Sequence, residues 1–456
     1  MSKALFDSFQ PVSSAGWKQK IQADLKGADY NNTLIWESPE GIDVKPFYHR
    51  DENDKPWDGI PGQPEQWKIV QSYFIDQEEV VNHLVKDSLK RGADAIWLKA
   101  ENSFDWSKLH HEIDPNGHTL YLQLDFADAD FVQQLNVESK RVKTNSHLLL
   151  DPLGHLISNG NWYKGQQEDV ALLEQIGKGD WLSNLTVDSR VYAEGGAHAV
   201  QQLAYAIAHL VEYLQQLEYS ANLKPLFIVG LGSNYFFEIA KIRAMRWLYA
   251  TVAKEFGLSQ ECHILAQPAR RNKTLYDYNV NMLRTTTECM SAILGGADAI
   301  CNSPYDSIYH KSNEFGERIA RNQLLIMKAE SYLDQVSNAA DGAYYIERLT
   351  QQLAQSALEI FKEIEQSGGL LKQLKDGTIQ RKIRESAKGE QTLFDEGDKT
   401  LIGTNKYPNP QDKMKDELQL YPFLKRDLRK TAIEPVPAKR LAEKLEKERL
   451  KNEEDA

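Results

Sequence analysis

Cysteine is scarce in this 456-residue chain. Only Cys262, Cys289 and Cys301 occur, and no two form a CxxC pair. Three thiols so spaced build no disulfide framework, which points to a reducing compartment, here the cytoplasm. Basic residues are also in deficit. Fifty-four Lys and Arg against 66 Asp and Glu leave a net charge of −12. That balance argues against a nucleic-acid partner, whose footprint is a basic patch. Long apolar runs are missing too. Leu226 to Gly230 is typical in length, far short of the ~20 residues of a membrane span. Met1 to Lys18 holds no apolar stretch that could serve as a signal peptide. Neither a membrane nor a secretory route is expected.

Several catalytic signatures are absent as well. There is no H-E-x-x-H and no Cys/His cluster, so no metal site is expected. No G-x-S-x-G elbow occurs, which disfavours that class of serine hydrolase. Gly230-Leu-Gly-Ser-Asn-Tyr235 follows a strand and opens a helix, but Tyr235 replaces the third glycine and no Walker lysine follows. Those glycines are read as a tight turn rather than a nucleotide site. His110 and His111 lie in a polar stretch, and His209 is read as structural within a helix.

What is present has a regular order. Residues 1–71 read as an arm with scattered aromatics: Phe6, Phe9, Trp17, Tyr30, Trp36, Phe47 and Tyr48. It carries one short helix, Trp17 to Leu25, and a polar turn over residues 51–56. Such an arm has no core of its own and is expected to wrap a larger body or a partner. From Ser72 the chain becomes periodic. Asp76 and Glu79 suggest a capping box for a helix bearing Val81, Leu84, Val85 and Leu89, with Gly92 as its stop. Strands are expected at Ala93–Leu98, Thr119–Asp125, His147–Leu150, Leu185–Val191, Pro225–Val229, His263–Ala266, Ala297–Cys301 and Ala343–Ile346. Helical periods fall at Ala197–Leu217, Tyr235–Phe256, Thr274–Leu294, Phe315–Val336 and Leu349–Gln366. Eight strands alternating with helices predict an α/β fold, a (β/α)₈ TIM barrel over 72–403. Function then belongs at the C-terminal strand ends.

After Gly403 the character changes again. Residues 405–410 read as a turn, and Glu434-Pro-Val-Pro437 as a stiff linker. From Lys439 a charged helix carries Leu441 and Leu445 on one side and is read as a solvated terminal helix. This tail occupies 404–456.

The most distinctive local sequence is Val187-Asp-Ser-Arg-Val-Tyr-Ala-Glu-Gly-Gly196, at the end of the fourth expected strand. It puts Asp188, Arg190, Tyr192 and Glu194 where a barrel carries function. An internal salt bridge of Asp188 or Glu194 with Arg190 explains these residue types equally well.

This segment and its following helix resemble the methylmalonyl-CoA mutase family. So do Asn234-Tyr-Phe-Phe-Glu-Ile-Ala-Lys-Ile-Arg-Ala-Met-Arg, Arg284-Thr-Thr-Thr-Glu-Cys-Met, and the stretch from Ile319-Ala-Arg-Asn-Gln to Glu330. Asp341-Gly-Ala-Tyr-Tyr-Ile-Glu-Arg-Leu-Thr and Ile364-Glu-Gln-Ser-Gly-Gly continue the series. The resemblance runs in order from Trp17 to Tyr407. It implies an acyl-CoA mutase barrel whose family reaction interconverts methylmalonyl-CoA and succinyl-CoA with adenosylcobalamin.

The departures matter more. Catalytic chains carry Gly-Tyr-His-Met-Gln-Glu at the fourth expected strand. Anchored on Glu194, their Tyr-His pair becomes Arg190 and Val191. Valine can neither donate a hydrogen bond nor move a proton. The family's Tyr-Arg-Pro-Trp-Thr-Ile-Arg-Gln, placed before the first expected strand, becomes Pro64-Glu-Gln-Trp-Lys-Ile-Val-Gln71. The tyrosine position is Pro64. The arginine position is Glu65, a charge inversion toward CoA phosphates. Thr-His-x-Gln becomes Ile264-Leu-Ala-Gln267, and Asp-Glu after the seventh expected strand becomes Asp306-Ser307. No Asp-x-His-x-x-Gly occurs. The resemblance and its departures together imply the small (β), non-catalytic subunit. No cobalamin domain is expected in it. Adenosylcobalamin and acyl-CoA would be handled in a heterodimer by a large catalytic subunit, and this chain would bind no cofactor itself. Two alternatives stay open. One is a catalytic mutase barrel served by a separate cobalamin chain. The other is a barrel enzyme of different chemistry, with Arg190, Gln267, Asn302 and Asp306 as mouth residues.

Overall fold

The computed structural model describes residues 10–52, 59–114, 117–142, 145–217, 223–425 and 429–454. Phe6, Phe9 and residues 53–56 of the polar turn lie outside them.

Eight parallel strands form the centre: β1 (Lys68–Phe74), β2 (Ala95–Ala100), β3 (Thr119–Leu124), β4 (Asn145–Leu149), β5 (Leu185–Asp188), β6 (Pro225–Leu231), β7 (His263–Pro268) and β8 (Ala299–Ile300). Their order is β4-β3-β2-β1-β8-β7-β6-β5. Most are buried on both faces, which is why they read as short, nearly continuous apolar runs. Helices such as Ala199–Gln216 and Tyr235–Glu255 pack outside them.

No ladder joins β4 to β5. That seam is closed by residues flanking the two strands. Leu182 N donates to Ser146 O at 2.8 Å, and Leu148 N donates to Ser183 O at 3.2 Å. At the other end Asp188 N donates to Asp151 Oδ2 at 2.6 Å.

The predicted barrel is present, but its strand set is shifted by one. Lys68–Phe74 is the first strand, not part of the arm, so Leu185–Asp188 is the fifth strand and not the fourth. The run expected as the eighth strand, Ala343–Ile346, instead opens the helix Tyr344–Gln366. The strand expected to reach Val191 ends at Asp188, and Arg190 already begins a helix, Arg190–Gly195. The expected capping box is also absent. The helix Glu78–Lys90 starts after Gln77 with no side-chain cap, which puts Val80 rather than Glu79 at the third helical position, and Glu79 pairs with Lys108 at 2.8 Å.

The barrel interior is a filled core. Trp97 and Tyr121 are fully buried there with Val70, Leu149, Leu226, Ile228 and Leu265. Toward the N-terminal end of the strands three rings cluster. Tyr121 lies 4.5 Å from His147, and His147 lies 4.4 Å from His263, centroid to centroid. The Tyr121 hydroxyl is 2.8 Å from His263 Nε2, and His147 Nδ1 is 2.9 Å from Ser183 Oγ.

The N-terminal arm lies on the helices of its own barrel. Its helix spans Ser14–Asp24, capped by the Ser13 side chain. Trp36 meets Phe237 at 5.8 Å and Tyr48 meets Tyr345 at 5.1 Å.

Near the C-terminus, residues 432–441 form a strap across the C-terminal face of the barrel. Ala432 N and Ile433 N donate to Gly160 O at 2.9 and 3.1 Å, and Val436 N donates to Ile157 O at 2.7 Å. Gly160 has φ +90°, and a Cβ there would stand 2.9 Å from Ile433 O, so only glycine fits without a shift. The tail helix Glu443–Glu454 is not simply solvated, as its charge had suggested. Glu446 is fully buried and pairs with Arg440 at 2.7 Å. Its Oε1 also accepts Leu275 N at 2.7 Å. Arg449 stacks 3.8 Å over the Tyr276 ring.

Candidate functional site

The C-terminal ends of the strands surround a cavity of about 660 Å³. Each wall residue is placed by its strand. Ser72 comes from β1, Lys99 from β2, Gln123 from β3 and Gln267 from β7, while Asp125, Asp151 and Arg190 follow strand ends. This is where a parallel barrel exposes its loops and concentrates polar groups.

Arg190 organises one wall. Its Nε donates to Asp188 Oδ1 at 2.8 Å, its Nη2 to Asp188 Oδ2 at 2.5 Å and its Nη1 to Gln267 Oε1 at 2.6 Å. The guanidinium lies 4.9 Å from the Trp97 ring centroid. Burial works against the Arg190 charge, but Asp188 outweighs it and holds the pKa above the ordinary value. The salt bridge of Arg190 with Asp188 is thus present, and Glu194 takes another partner, accepting Arg270 N at 2.7 Å. Val191 lines the cavity and brings only an apolar surface.

The remaining expected site residues are not gathered here. β8 is only two residues long, and although Ser303, Pro304 and Ser307 after it still line the cavity, the Asn302 and Asp306 side chains do not. The Asn302 amide turns outward, donating to Ala320 O at 3.1 Å and to Gln323 Oε1 at 2.9 Å. Asp306 accepts from Asn313 Nδ2 at 2.8 Å. Pro64 and Glu65 precede β1 and stand at the N-terminal end of the barrel, opposite the mouth. Nearby, a Cβ on Gly62 would lie 3.1 Å from Glu261 Cα, just ahead of β7. From β1 it is Ser72 that reaches the mouth.

Two functional-looking groups escaped the sequence reading. Asp151 caps the helix Pro152–Asn159, accepting Gly154 N at 2.8 Å. It also meets His209 Nε2 at 2.9 Å and accepts the Tyr213 hydroxyl at 2.6 Å. Burial alone would raise the Asp151 carboxyl, but His209 and the converging donors hold it below the usual range. Its signal was available: an Asp directly after an apolar run, followed by Pro152, marks a helix start. The second is Lys99, a lone cation inside the apolar strand Ala95–Ala100. Its amine lies 4.1 Å from the Trp97 ring centroid. Burial, and then the Arg190 charge, push its pKa down to about 8. Asp125 and Glu194 are both pushed up by burial.

Among the described residues no group of three His, Cys, Asp or Glu side chains could hold a metal ion. Nor do the residues at the mouth fit a cobalamin. Val436 and Ala438 of the strap line the cavity and cross the face such a cofactor would need. No described helix is long and apolar enough to cross a membrane.

Comparison with known proteins gives one family. The methylmalonyl-CoA mutase family model matches residues 137–455. The methylmalonyl-CoA mutase small subunit of Porphyromonas gingivalis is 32% identical over 91% of this chain and 73% of its own length. The small subunit of Streptomyces virginiae is 29% identical over 81% of this chain and 65% of its own. The methylmalonyl-CoA mutase of Escherichia coli is 31% identical over 57% of this chain and 38% of its own.

Proposed function

The chain belongs to the methylmalonyl-CoA mutase family, and from that membership we propose that it is the small subunit of a heterodimeric methylmalonyl-CoA mutase, structural rather than catalytic. The family uses adenosylcobalamin and interconverts methylmalonyl-CoA and succinyl-CoA. In this reading the large subunit brings the active barrel, the cofactor and the acyl-CoA site, and both chains work in the cytoplasm. The present chain contributes a barrel surface, on which the described parts of the arm before Lys68 and of the tail after Gly403 pack.

The observation that carries this reading is the filled barrel. A long acyl-CoA needs room to reach a reacting centre. Here Trp97 and Tyr121 occupy the interior without any exposure, and His147 and His263 pack against Tyr121. At the mouth, Arg190 is spent on Asp188 and Gln267. Val191 offers nothing that could guide a proton.

The test is an assay of the purified chain, alone and mixed with its large subunit, with adenosylcobalamin and methylmalonyl-CoA. Turnover is expected only in the mixture. Turnover by this chain alone overturns the reading.

A further inference from the structure

The filled barrel leaves one reactive group without work. Lys99 projects from β2 into the mouth cavity. Among the described residues no hydrogen bond or ion pair ties its amine, and its recorded partner is the Trp97 ring, 4.1 Å from centroid. Arg190 shares that ring from 4.9 Å. The nearby acid Asp188 is already engaged by Arg190 at 2.5 and 2.8 Å. One oxygen of Asp125 accepts Gln123 Nε2 at 2.7 Å. A desolvated amine beside a fixed cation, with no carboxylate bonded to it, is the environment of a nucleophilic lysine.

We propose that Lys99 is an imine-forming nucleophile and that the mouth cavity captures a small carbonyl compound, an aldehyde or a 2-oxo acid. The chemistry balances without a further reactant. The neutral Lys99 nitrogen attacks the carbonyl carbon, and the carbonyl oxygen takes up the proton the nitrogen loses. The carbinolamine then expels its hydroxyl as water as the C=N bond forms. The proton that leaves with the hydroxyl comes from water, and Asp125, which lines the same cavity, relays it. The charges that act on the amine are Arg190, which lowers its pKa, and Cys301, Asp125 and Asp188, which oppose that. Burial and Arg190 prevail, leaving the pKa at about 8. A large share of the amine is then neutral near pH 8. An ordinary lysine, at ~10.4, is almost wholly charged there.

The test uses the full-length chain, with pyruvate and acetaldehyde as separate probes, borohydride to reduce any imine, and peptide mapping to locate the adduct. At pH 8 the Lys99 peptide is expected to label roughly 10- to 100-fold faster than peptides bearing exposed lysines. Its rate should have a midpoint near pH 8. Arg190→Gln should move that midpoint upward, and Lys99→Arg should abolish labelling of that peptide in a folded chain. Labelling by pyruvate alone assigns the 2-oxo acid, and labelling by acetaldehyde assigns the aldehyde. Labelling of Lys99 no faster than exposed lysines, or with a midpoint near that of ordinary lysine, overturns the proposal.

Discussion

Asp151 accepts the backbone N–H of Asp188 at 2.6 Å, tying the end of β4 to the end of β5 at the one junction of the barrel that has no ladder. The same carboxylate caps a helix and meets His209 and Tyr213. Four elements therefore depend on one buried charge.

Asp151→Ala should cost about 3–5 kcal/mol, because it removes a helix cap and leaves the buried His209 Nε2 without its partner. Asp151→Asn keeps part of the hydrogen bonding and should cost less. The Asp151 pKa is lowered on folding. Its contribution is therefore complete above about pH 3.9 and lost as the pH falls through the folded value. Urea unfolding midpoints of the three proteins measure this. Equal midpoints for Asp151→Ala and the parent would refute it.

Histidines dominate a second pH window. Burial holds His147 well below its ordinary pKa, lowers His263, and brings His198 down to about 4. The folded chain keeps these rings neutral while the unfolded chain protonates them. Their stability contribution is complete above about pH 6.5 and falls on acidification, by up to about 1.4 kcal/mol per pH unit for each ring. His147→Asn should flatten the slope between pH 6.5 and 5. An unchanged slope in that variant would count against the buried stack.

Trp97 fills the barrel axis and carries two cations on its face. Trp97→Ala should cost about 3–5 kcal/mol, through lost burial and the cavity left behind. Calorimetry of the thermal transition reads this directly. The opened barrel should still show no mutase turnover with adenosylcobalamin, even with Arg190→Tyr and Val191→His added.

How much of this was legible in the sequence depends on where each residue's partner lies. The outer helices were readable because their apolar periods are local. β1 was not, since Lys68, Gln71 and Ser72 interrupt its apolar pattern. Lys68 bonds Thr119 on β3 and Ser72 faces the mouth, so their reasons lie on other strands. Ala343–Ile346 looked like a strand because two tyrosines and an isoleucine favour one, but these residues begin a long amphipathic helix. Of the expected mouth residues, Arg190 and Gln267 do meet. Asn302 and Asp306 do not, because their partners lie on the helix Glu314–Leu325 and its cap Asn313, which the local sequence does not reveal.

The tail shows the same limit. Glu446 looked like one more solvated charge, and its burial depends on Arg440 and on the backbone of Leu275. Arg440→Met should destabilise tail docking by about 3–5 kcal/mol by leaving Glu446 uncompensated. Arg440→Met with Glu446→Gln should recover much of that. Limited proteolysis within residues 429–454 measures the release, and equal cleavage of parent and single variant would contradict it.

The strap joins two parts of the molecule that look separate. Val436 and Ala438 roof the mouth cavity. A few residues later, Lys439 O accepts Arg271 Nη1 at 2.8 Å and Arg440 pairs with Glu446. Roof and anchor are one short piece of chain. Binding free energies are reciprocal, so to the extent that the docked anchor favours an occupant beneath this roof, the occupant favours the docked anchor by the same factor. The charged tail is in that sense a remote handle on the barrel mouth.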